Sequence, residues 1–186
     1  MSWPRTVPLQ TDRLSLEPLA VGHAIEMEAA LAPPDLYRFT GGQSPTLQEL
    51  QSRYARQVQG RSEDGSAGWQ NWVIRPARGG PAIGFVQATL TQDGTDLVAD
   101  LAWLVTASEQ GRGLAGEAAS AVVTWLTSIG VRHLRAAIHP DHLVSARVAQ
   151  RLGLEPTLTV VDGEVLWAAV VAADPHGREI GQAVGR

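Results

Sequence analysis

The sequence contains no cysteine. This absence excludes disulfide bridges, thiol nucleophiles and thiolate metal ligands together, so any catalysis must use other groups. Five histidines are present, but only His139 and His142 lie close together, and no third ligand stands in register with them. Because zinc in proteins is held by three or four side chains, we interpret the pair as polar surface and expect no metal site.

Long apolar runs are also missing. No run approaches the roughly 20 residues that a helix needs to cross a bilayer, and the first five residues lack the apolar stretch of a secretory signal. These absences predict a soluble, cytoplasmic protein without a membrane partner. Charged residues make up only 18% of the chain, with a formal net charge of −4. That balance argues against a nucleic-acid-binding surface and favours small or cationic partners.

What the chain does have is enough apolar material for one core, since 44% of its 186 residues are hydrophobic. Strand and helix periodicities follow one another without a repeat or a linker. They predict the order strand, helix, helix, three strands, helix, strand, helix and two strands, which is a single α+β domain. The predicted strands lie near 13–19, 71–75, 83–90, 97–105, 134–138, 158–161 and 165–171, and the predicted helices near 24–31, 46–59, 114–129 and 144–152.

A turn with two glycines lies between the end of strand 97–105 and the first turn of helix 114–129. Backbone N–H groups at a helix start are unpaired and carry the positive end of the helix dipole, so they bind phosphate without basic side chains. The two glycines permit close approach of such a ligand. We therefore predict a phosphate-binding turn formed by Gln110, Gly111, Arg112, Gly113, Leu114 and Ala115.

The sequence of this turn has two other interpretations. The glycine pair can serve only a tight connection between strand and helix. A dinucleotide-binding turn is discounted, because a third glycine and an acidic residue about 20 positions on are missing and the preceding strands are predicted to be antiparallel. A pyrophosphate bound here would place the rest of its ligand along the preceding strand, where unpaired backbone groups of Leu104 and Val105 can hold an extended amide chain such as pantetheine.

With the turn in place, the chain resembles the GCN5-related N-acetyltransferases. Their signature, Gln/Arg-x-x-Gly-x-Gly/Ala, is met by Gln110, Gly113 and Ala115. Downstream, residues 142–154 are similar to the family segment Asn-x-x-Ser-x-x-x-x-x-x-Leu-Gly-Phe. The opening at 11–14, Thr-Asp-Arg-Leu, resembles the Thr-x-Arg-Leu start of the branch that includes the ribosomal-protein N-terminal acetyltransferases.

The resemblance implies a domain over residues 10–172, with 173–186 as a loosely held C-terminal tail. It also implies a mixed, mostly antiparallel sheet flanked by helices, whose fourth and fifth strands splay apart between 97–105 and 134–138. Acetyl-CoA is the implied co-substrate and lies in that splay. The oligomeric state stays open.

Two departures from the family bear on mechanism. Where the family has Asn the chain has His142, which we assign to cofactor binding, and where many members have a Tyr that protonates the leaving thiolate the chain has Ala149. Ser145 matches a cofactor-facing serine in this branch. Its hydroxyl, directly or through a water, is our candidate acid, although a serine at a helix start also serves as a cap.

An amine must lose a proton as it attacks a thioester, and Asp100 is our candidate acceptor of that proton. Strand alternation puts it on one face with Val98, Ala102 and Leu104, and an apolar setting of that kind raises the pKa of a carboxylate toward neutrality. An acidic residue at this strand position also matches the resembling branch. The alternative is a carboxylate at a sheet edge or in an ion pair with an arginine.

Four side chains are candidates for contact with the acceptor. Gln87 is the one polar residue in its stretch of strand, and solvent exposure is the competing explanation. Trp72 lies on a strand near the predicted cleft, although most tryptophans are expected in the core. Tyr37 and Phe39 belong to an aromatic loop that can shape a pocket or merely anchor itself.

These predictions together favour an acetyl-CoA-dependent N-acetyltransferase in which the amine attacks the thioester directly, since no cysteine exists to carry an acetyl group. Backbone N–H groups near Leu104 would polarise the thioester carbonyl. A catalytically idle acyl-CoA-binding or sensing module is the alternative, and a nucleotide-binding protein is a weaker third, because its motifs fail. The acceptor, a small amine or a peptide N-terminus, cannot be read from loops in one sequence.

Overall fold

The computed structural model describes residues 3–171, and these form one sheet with helices on both faces. The eight strands are β1 (Leu9–Gln10), β2 (Leu14–Pro18), β3 (Gly68–Pro76), β4 (Gly84–Asp93), β5 (Asp96–Val105), β6 (Val131–Ile138), β7 (Glu155–Val161) and β8 (Glu164–Val170). The α-helices are α1 (Ala24–Ala30), α2 (Leu47–Gln57), α3 (Leu114–Ser128) and α4 (Leu143–Arg151).

The strands lie in the order β1-β2-β3-β4-β5-β6-β8-β7. Every neighbouring pair is antiparallel except β5 and β6, which are parallel. A parallel pair needs a crossover, and α3 supplies it, packing on the sheet between the two strands that it connects. The predicted α+β fold with a mostly antiparallel sheet is confirmed.

Each face of the sheet buries its own apolar cluster. The larger cluster joins the sheet to α3 and α4 and includes Trp72, Leu101, Val122 and Ala149. The smaller one lies under α1 and α2. Because successive strand residues point to opposite faces, one strand can serve both clusters. Among residues 3–171, no helix combines the length and the apolar character that a bilayer crossing needs.

Local signals in the sequence account for most helix boundaries. The predicted capping box is present at α2, where Thr46 and Glu49 exchange side-chain and backbone hydrogen bonds. At α3 the apolar stripe begins after Gly113, which is the N-cap, and ends before Gly130, in agreement with the predicted turn and stop. The predicted tail 173–186 lies outside the described residues.

The ordered chain begins before residue 10, where we had placed the start of the domain. An N-terminal arm, residues 3–8, crosses the start of β3 and is held there by hydrogen bonds. The indole of Trp3 donates to the Gly65 carbonyl at 3.0 Å, and the carboxamide of Gln70 donates to the Pro4 carbonyl at 2.9 Å. Gly68 provides the space, since any side chain there would overlap the Trp3 ring.

Candidate functional site

The two parallel strands are paired over only part of their lengths. Pairing between β5 and β6 ends at Asp100 and Arg135, yet β5 continues to Val105 and β6 to Ile138. Beyond this fork, the strand edges that face each other have no partner strand among residues 3–171. An extended chain with amide groups can therefore hydrogen-bond between them, as peptides do at open sheet edges. This is the predicted splay, and it is confirmed.

A glycine on the neighbouring strand fixes the backbone of this cleft. A Cβ on Gly84 of β4 would overlap the carbonyl oxygen of Leu104 on β5 and crowd the Cα of Val105. Only glycine allows β4 to approach β5 so closely at this point. Leu104 itself is half-buried and packs against the cluster under α1 and α2. The stretch of β5 that borders the cleft is therefore fixed by β4, on the side away from the cleft.

Beyond Val105 the chain makes a 3₁₀ turn, Ala107–Glu109, and then reaches Gly111 and Gly113. The two glycines have φ values of 75° and 76°, a left-handed conformation that residues with side chains seldom adopt. Gly113 is the N-cap of α3, so the next N–H groups point out of the helix start. The glycines thus shape the turn and also leave its backbone open.

Gln110 holds the turn against the strand. Its Nε2 donates to the Val105 carbonyl at 2.9 Å. The Nε2 of Gln110 is therefore engaged within the protein. The carbonyl of Val105, which we expected to border an extended ligand, is engaged by the same hydrogen bond. The prediction that Leu104 has unpaired backbone groups at the cleft is not supported, because its carbonyl oxygen points toward Gly84 of β4 and the alternate residues of β5 face the cleft.

Arginines surround the turn in a way that sequence reasoning missed. A Cβ on Gly113 would lie 3.8 Å from Nη1 of Arg151 and 3.9 Å from Nη2 of Arg13. Arg151 forms no ion pair with any group between residues 3 and 171. Arg112, which we had assigned to this site, pairs instead with Glu109 and is 59% exposed. The start of α3 thus combines its own dipole with nearby guanidinium charge.

A clamp between the β1–β2 connection and α3 explains the Thr-x-Arg opening. The Thr11 hydroxyl donates to one oxygen of Glu117 and the Nε of Arg13 donates to the other, both at 2.6 Å. Arg13 also donates from Nη1 to the Arg112 carbonyl at 3.1 Å. Burial opposes ionisation of Glu117, but the hydrogen bonds from Thr11 and Arg13 hold its pKa below the usual range. The motif therefore fixes the first turn of α3.

At the end of β6, the start of α4 approaches the cleft. Because parallel strands end at the same edge of a sheet, this helix start lies at the same edge as the glycine turn. His142 is the N-cap of α4, and its buried Nδ1 has no hydrogen-bond partner within residues 3–171. Ser145 lies three residues on, half-buried in the first helical turn, so it is not the cap that we had considered as an alternative. Ala149, on the next turn, is fully buried in the core.

The aromatic loop after α1 closes over this helix start. The Phe39 ring stacks on the imidazole of His142, with centroids 4.4 Å apart, and lies 5.5 Å from that of His139. Tyr37 has a different role, because its hydroxyl donates to the Leu31 carbonyl at 2.8 Å and so anchors the loop. The structure thus brings Phe39 and His142 together and turns the Tyr37 hydroxyl back into its own loop.

The environment of His142 predicts a pH effect on stability. Burial, with a smaller repulsion from His139, holds the pKa of His142 below its usual value. In the unfolded chain a histidine has a pKa of about 6.5. The imidazole of His142 therefore binds a proton more readily in the unfolded chain than in the folded protein. The contribution of His142 to the free energy of unfolding is therefore fully present above about pH 6.5 and is lost as the pH falls below that value. We expect His142→Asn to lose less stability than the parent between pH 7.5 and 5.5 in urea unfolding.

His133→Asn serves as the control for the loss of a histidine as such, since His133 is partly exposed and lies on β6, away from the start of α4. Equal pH dependence in the parent and His142→Asn would show that the buried imidazole titrates as it does in the unfolded chain.

Asp100 stands at the fork, in the ion pair with an arginine that we gave as the alternative to an apolar setting. The Nε and Nη2 of Arg135 donate to its two carboxylate oxygens at 2.8 and 2.6 Å, and this contact raises the pKa of Arg135. The side chains of Asp100 and Arg135 are 41% and 38% exposed. The predicted apolar setting is wrong, because the closest neighbour across the parallel pair is a guanidinium. Alternation along one strand carries no information about that neighbour.

The face of the sheet that carries Asp100, called the Asp100 face below, extends over the antiparallel strands. Thr89 of β4 lies directly opposite Asp100, and Gln87 lies opposite Ala102. Opposed residues in an antiparallel pair share a face. Gln87 is half-buried on this face, next to the fork in the direction of the cleft. A cavity of about 330 Å³ borders the fork on the other side and is lined in part by Asp93, His133 and Arg135.

Trp72 does not belong to this face, and its assignment to acceptor contact is wrong. Its side chain is fully buried on the opposite face of β3. There the indole packs edge-on against Trp125, with centroids 5.3 Å apart, and donates to the Val7 carbonyl at 2.8 Å. The parity of the strand separates Trp72 from the side chains of Trp69 and Asn71, which are on the Asp100 face.

Comparisons with known proteins agree with this geometry. Residues 13–155 match the family model described as an acetyltransferase (GNAT) domain. A search of curated proteins finds no match. Among solved structures, the fold is similar to that of RimL, the ribosomal L7/L12 alpha-N-protein acetyltransferase in complex with coenzyme A. The TM-score is 0.74 at 15% identity, covering 90% of this chain and 100% of that one.

Two further structures show the same fold. The acetyltransferase from Agrobacterium tumefaciens str. C58 has a TM-score of 0.67 at 24% identity, covering 91% of this chain and 97% of that one. The aminoglycoside acetyltransferase AAC(6′)-Ib in complex with coenzyme A has a TM-score of 0.68 at 22% identity, with 84% and 94% covered. Since the family model covers well over half of the sequence and the sheet has the forked parallel pair, the chain belongs to the GNAT acetyltransferase family.

Proposed function

We propose that the protein is an N-acetyltransferase that uses acetyl-CoA and transfers the acetyl group directly to an amine in a ternary complex. The observation that supports this most is the fork between β5 and β6, whose open edge leads without interruption into the glycine turn and the start of α3. A strand edge followed by a helix N-terminus suits an extended amide chain that ends in a pyrophosphate.

The residues of the site fit this co-substrate. Backbone N–H groups of residues 111–115 would hold the pyrophosphate, and Arg13 and Arg151 add positive charge beside them. The edge of β5 beyond Asp100 that faces β6 would hydrogen-bond the pantetheine through its backbone. A buried ring nitrogen without a partner is unfavourable, and the Nδ1 of His142 would gain one from a polar group of the ligand. Ser145 lies on the same side of α4 and offers its hydroxyl.

The proposed reaction is one nucleophilic substitution at the thioester. The amine nitrogen forms a bond to the acetyl carbonyl carbon, and the bond between that carbon and the CoA sulfur breaks. Backbone N–H groups near Leu104 stabilise the negative charge that develops on the carbonyl oxygen. The amine gives up a proton and the departing thiolate takes one, so the step is balanced without a covalent enzyme intermediate.

Asp100 is the proposed acceptor of the amine's proton. Although Arg135 donates to both carboxylate oxygens, each oxygen keeps a second acceptor position, and the exposure of the pair leaves space for a water between carboxylate and amine. The ion pair also fixes the carboxylate at the fork. Ser145 is the proposed source of the proton for the thiolate, since Ala149 has no proton to donate.

The proposed acceptor approaches from the Asp100 face, where Gln87 is in reach to orient it and Phe39 limits the space above His142. Two of the compared structures are named for very different acceptors, a ribosomal protein's α-amino group and an aminoglycoside. The fold is therefore compatible with a small amine or a peptide N-terminus.

Removing the phosphates from the co-substrate tests the pyrophosphate assignment. We expect S-acetylpantetheine to bind at least about 100-fold more weakly than acetyl-CoA, because two or more charge-assisted hydrogen bonds are lost, each contributing about 1.5–3 kcal/mol. Calorimetric titration measures both affinities. Equal affinity would contradict the assignment.

The same protein with [acetyl-¹⁴C]acetyl-CoA and a panel of amines, followed by mass detection of products, separates an enzyme from an idle binding module. Transfer to any amine supports the enzyme. Tight binding of acetyl-CoA with neither transfer nor hydrolysis would favour the sensing module instead.

A further inference from the structure

A second cavity lies at the edge of β3, between the Asp100 face, which it reaches at Trp69 and Asn71, and the N-terminal arm, which packs on the opposite face against Gly68 and Gln70. It has a volume of about 450 Å³, within the range of small-ligand sites. Its walls come from the arm, the end of β2, the segment after α2 and the start of β3. The lining residues that carry the following argument are Trp3, Arg5, Arg61, Trp69 and Asn71.

The strand register places this cavity relative to the fork. Trp69 of β3 lies opposite Thr89 of β4, and Thr89 lies opposite Asp100 of β5. The three side chains therefore form one row on the same face of the sheet. Neighbouring strands are about 4.8 Å apart, so the cavity wall at Trp69 lies roughly 10 Å from Asp100.

The chemistry of the lining is positive and amide-rich. Arg5 and Arg61 both border the cavity, no carboxylate is among its lining residues, and neither arginine forms an ion pair within residues 3–171. Gln57 and Gln59 add carboxamides from the end of α2. The lining therefore places two guanidinium groups and no carboxylate at one cavity, in a chain whose net charge is −4.

Asn71 gives the cavity a built polar wall. It is only 9% exposed, and its carboxamide makes no hydrogen bond with any group in the described part of the chain. Its polar atoms are open to solvent from the cavity, since the Nδ1 of His142 is the one buried side-chain polar atom without a partner among residues 3–171. A ligand in the cavity could therefore hydrogen-bond the Asn71 carboxamide, and the indoles of Trp3 and Trp69 provide an apolar surface beside it.

The arm that carries Arg5 is held in place on both sides of this residue. The Thr6 hydroxyl donates to Oε1 of Gln70 at 2.8 Å, and Nε2 of the same carboxamide donates to the Pro4 carbonyl at 2.9 Å. Gln70 itself is fully buried. The backbone of Arg5 is therefore fixed by its two neighbours, and the cavity is a formed feature rather than a gap under a loose end.

We propose that this cavity is a subsite for a carboxylate of the acceptor, borne roughly 10 Å from the amine that is acetylated. Guanidinium and carboxamide groups are the donors that pair with carboxylates in proteins. An extended tripeptide places its amine and its C-terminal carboxylate at about this separation. A short peptide or amino-acid derivative with an apolar residue next to its carboxylate thus has the chemistry that this face recognises. The inference rests on the proposed N-acetyltransferase function.

The test compares Gly-Gly-Leu carrying a free carboxylate with the same tripeptide carrying a C-terminal carboxamide. Affinities are measured by calorimetry in the presence of CoA, and acetylation is measured separately with acetyl-CoA. We expect the acid to bind about tenfold more tightly than the amide. We also expect the double variant Arg5→Gln, Arg61→Gln to bind both equally. Arg56→Gln is the matched control, because Arg56 is exposed on α2 but does not line the cavity.

The two readouts separate the subsite from the function. The subsite is supported if the parent and Arg56→Gln prefer the acid and the double variant does not. This holds even if neither peptide is acetylated, because that result contradicts only the proposed activity. Acetylation of both peptides without a preference, a preference that survives the double variant, or no binding of either peptide overturns the subsite.

Discussion

Replacing Gly113 by Asp is expected to weaken acetyl-CoA binding by roughly 100-fold or more. The side chain would project from the N-cap of α3 toward the position proposed for the pyrophosphate, and its charge would repel that group. A Cβ alone at position 113 would not crowd the turn. The nearest atoms would be Arg151 Nη1 and Arg13 Nη2, at ordinary contact distances of 3.8 and 3.9 Å.

Those two arginines make the test sharper. A carboxylate at position 113 can pair with Arg151, which would remove from the site positive charge that a pyrophosphate uses, whereas Arg13 is already paired with Glu117. The ion pair with Arg151 offsets the destabilisation that the new charge would otherwise cause in the folded protein. Gly113→Asn is the matched control, because Asn and Asp are similar in shape and both tolerate the left-handed conformation at φ 76°.

We therefore expect opposite orders in two measurements. In thermal unfolding, the Asp variant should be at least as stable as the Asn variant, whereas in calorimetric titration it should bind acetyl-CoA at least about tenfold more weakly. If the two folded variants bind acetyl-CoA equally, the turn only connects strand and helix, and charge at its centre is irrelevant.

Much of the fold was predictable because its signals are local. The apolar stripe of α3 is bounded by Gly113 and Gly130, and both ends are found where the sequence puts them. The capping box at Thr46 and Glu49 likewise needs only four residues of sequence. Periodicity and capping depend on neighbours within one or two turns, so a single sequence contains them.

The errors arose where the deciding contact is distant in sequence. Arg135 lies 35 residues from Asp100, and only the parallel register brings the two together. Arg151 reaches Gly113 from another helix. The parity of β3 predicts that Trp72 lies on the opposite face from Trp69 and Asn71. It does not predict which of the two faces buries the tryptophan in the core. Side-chain partners across elements are tertiary facts that neither periodicity nor composition encodes.

The position of the N-terminal arm likewise depends on contacts that are distant in sequence. Residues 3–8 carry no strand or helix pattern, and their order comes from hydrogen bonds to Gln70 and Trp72, more than 60 residues away. A buried glutamine in a strand was the available signal, since a buried carboxamide requires partners that the strand itself does not supply. The cavity with Arg5 and Arg61 depends on this arm and was not foreseen.

Asp100→Asn is expected to lower turnover by about 10² to 10⁴ while leaving the affinity for acetyl-CoA nearly unchanged. The carboxamide cannot accept the amine's proton, and Asp100 lies at the closed end of the fork, away from the glycine turn. Stability should change little, because the Asp100–Arg135 pair is partly exposed and such pairs contribute about 0–1 kcal/mol. Asp96→Asn is the control, since Asp96 lies on the same strand near His133 and is 52% exposed.

The ion pair requires a second comparison, because Asp100 could act by holding Arg135 rather than by accepting a proton. Arg135→Gln keeps the carboxylate and removes its partner. If Asp100 is the proton acceptor, Arg135→Gln should retain far more turnover than Asp100→Asn. If the pair is only structural, the two single variants and the double variant should have the same defect, as expected for residues that act as one unit.

The acceptor amine provides the decisive series. An amine with a lower intrinsic pKa is already neutral at the assay pH and depends less on the carboxylate, so the defect of Asp100→Asn should shrink along a graded set of acceptors. The ascending limb of the parent's pH profile should move in the variant if Asp100 produces it, and should stay if the acceptor amine does. Near-normal turnover of the folded variant on every acceptor would make Asp100 a structural partner of Arg135. The proton would then have to leave through water or another group at the fork.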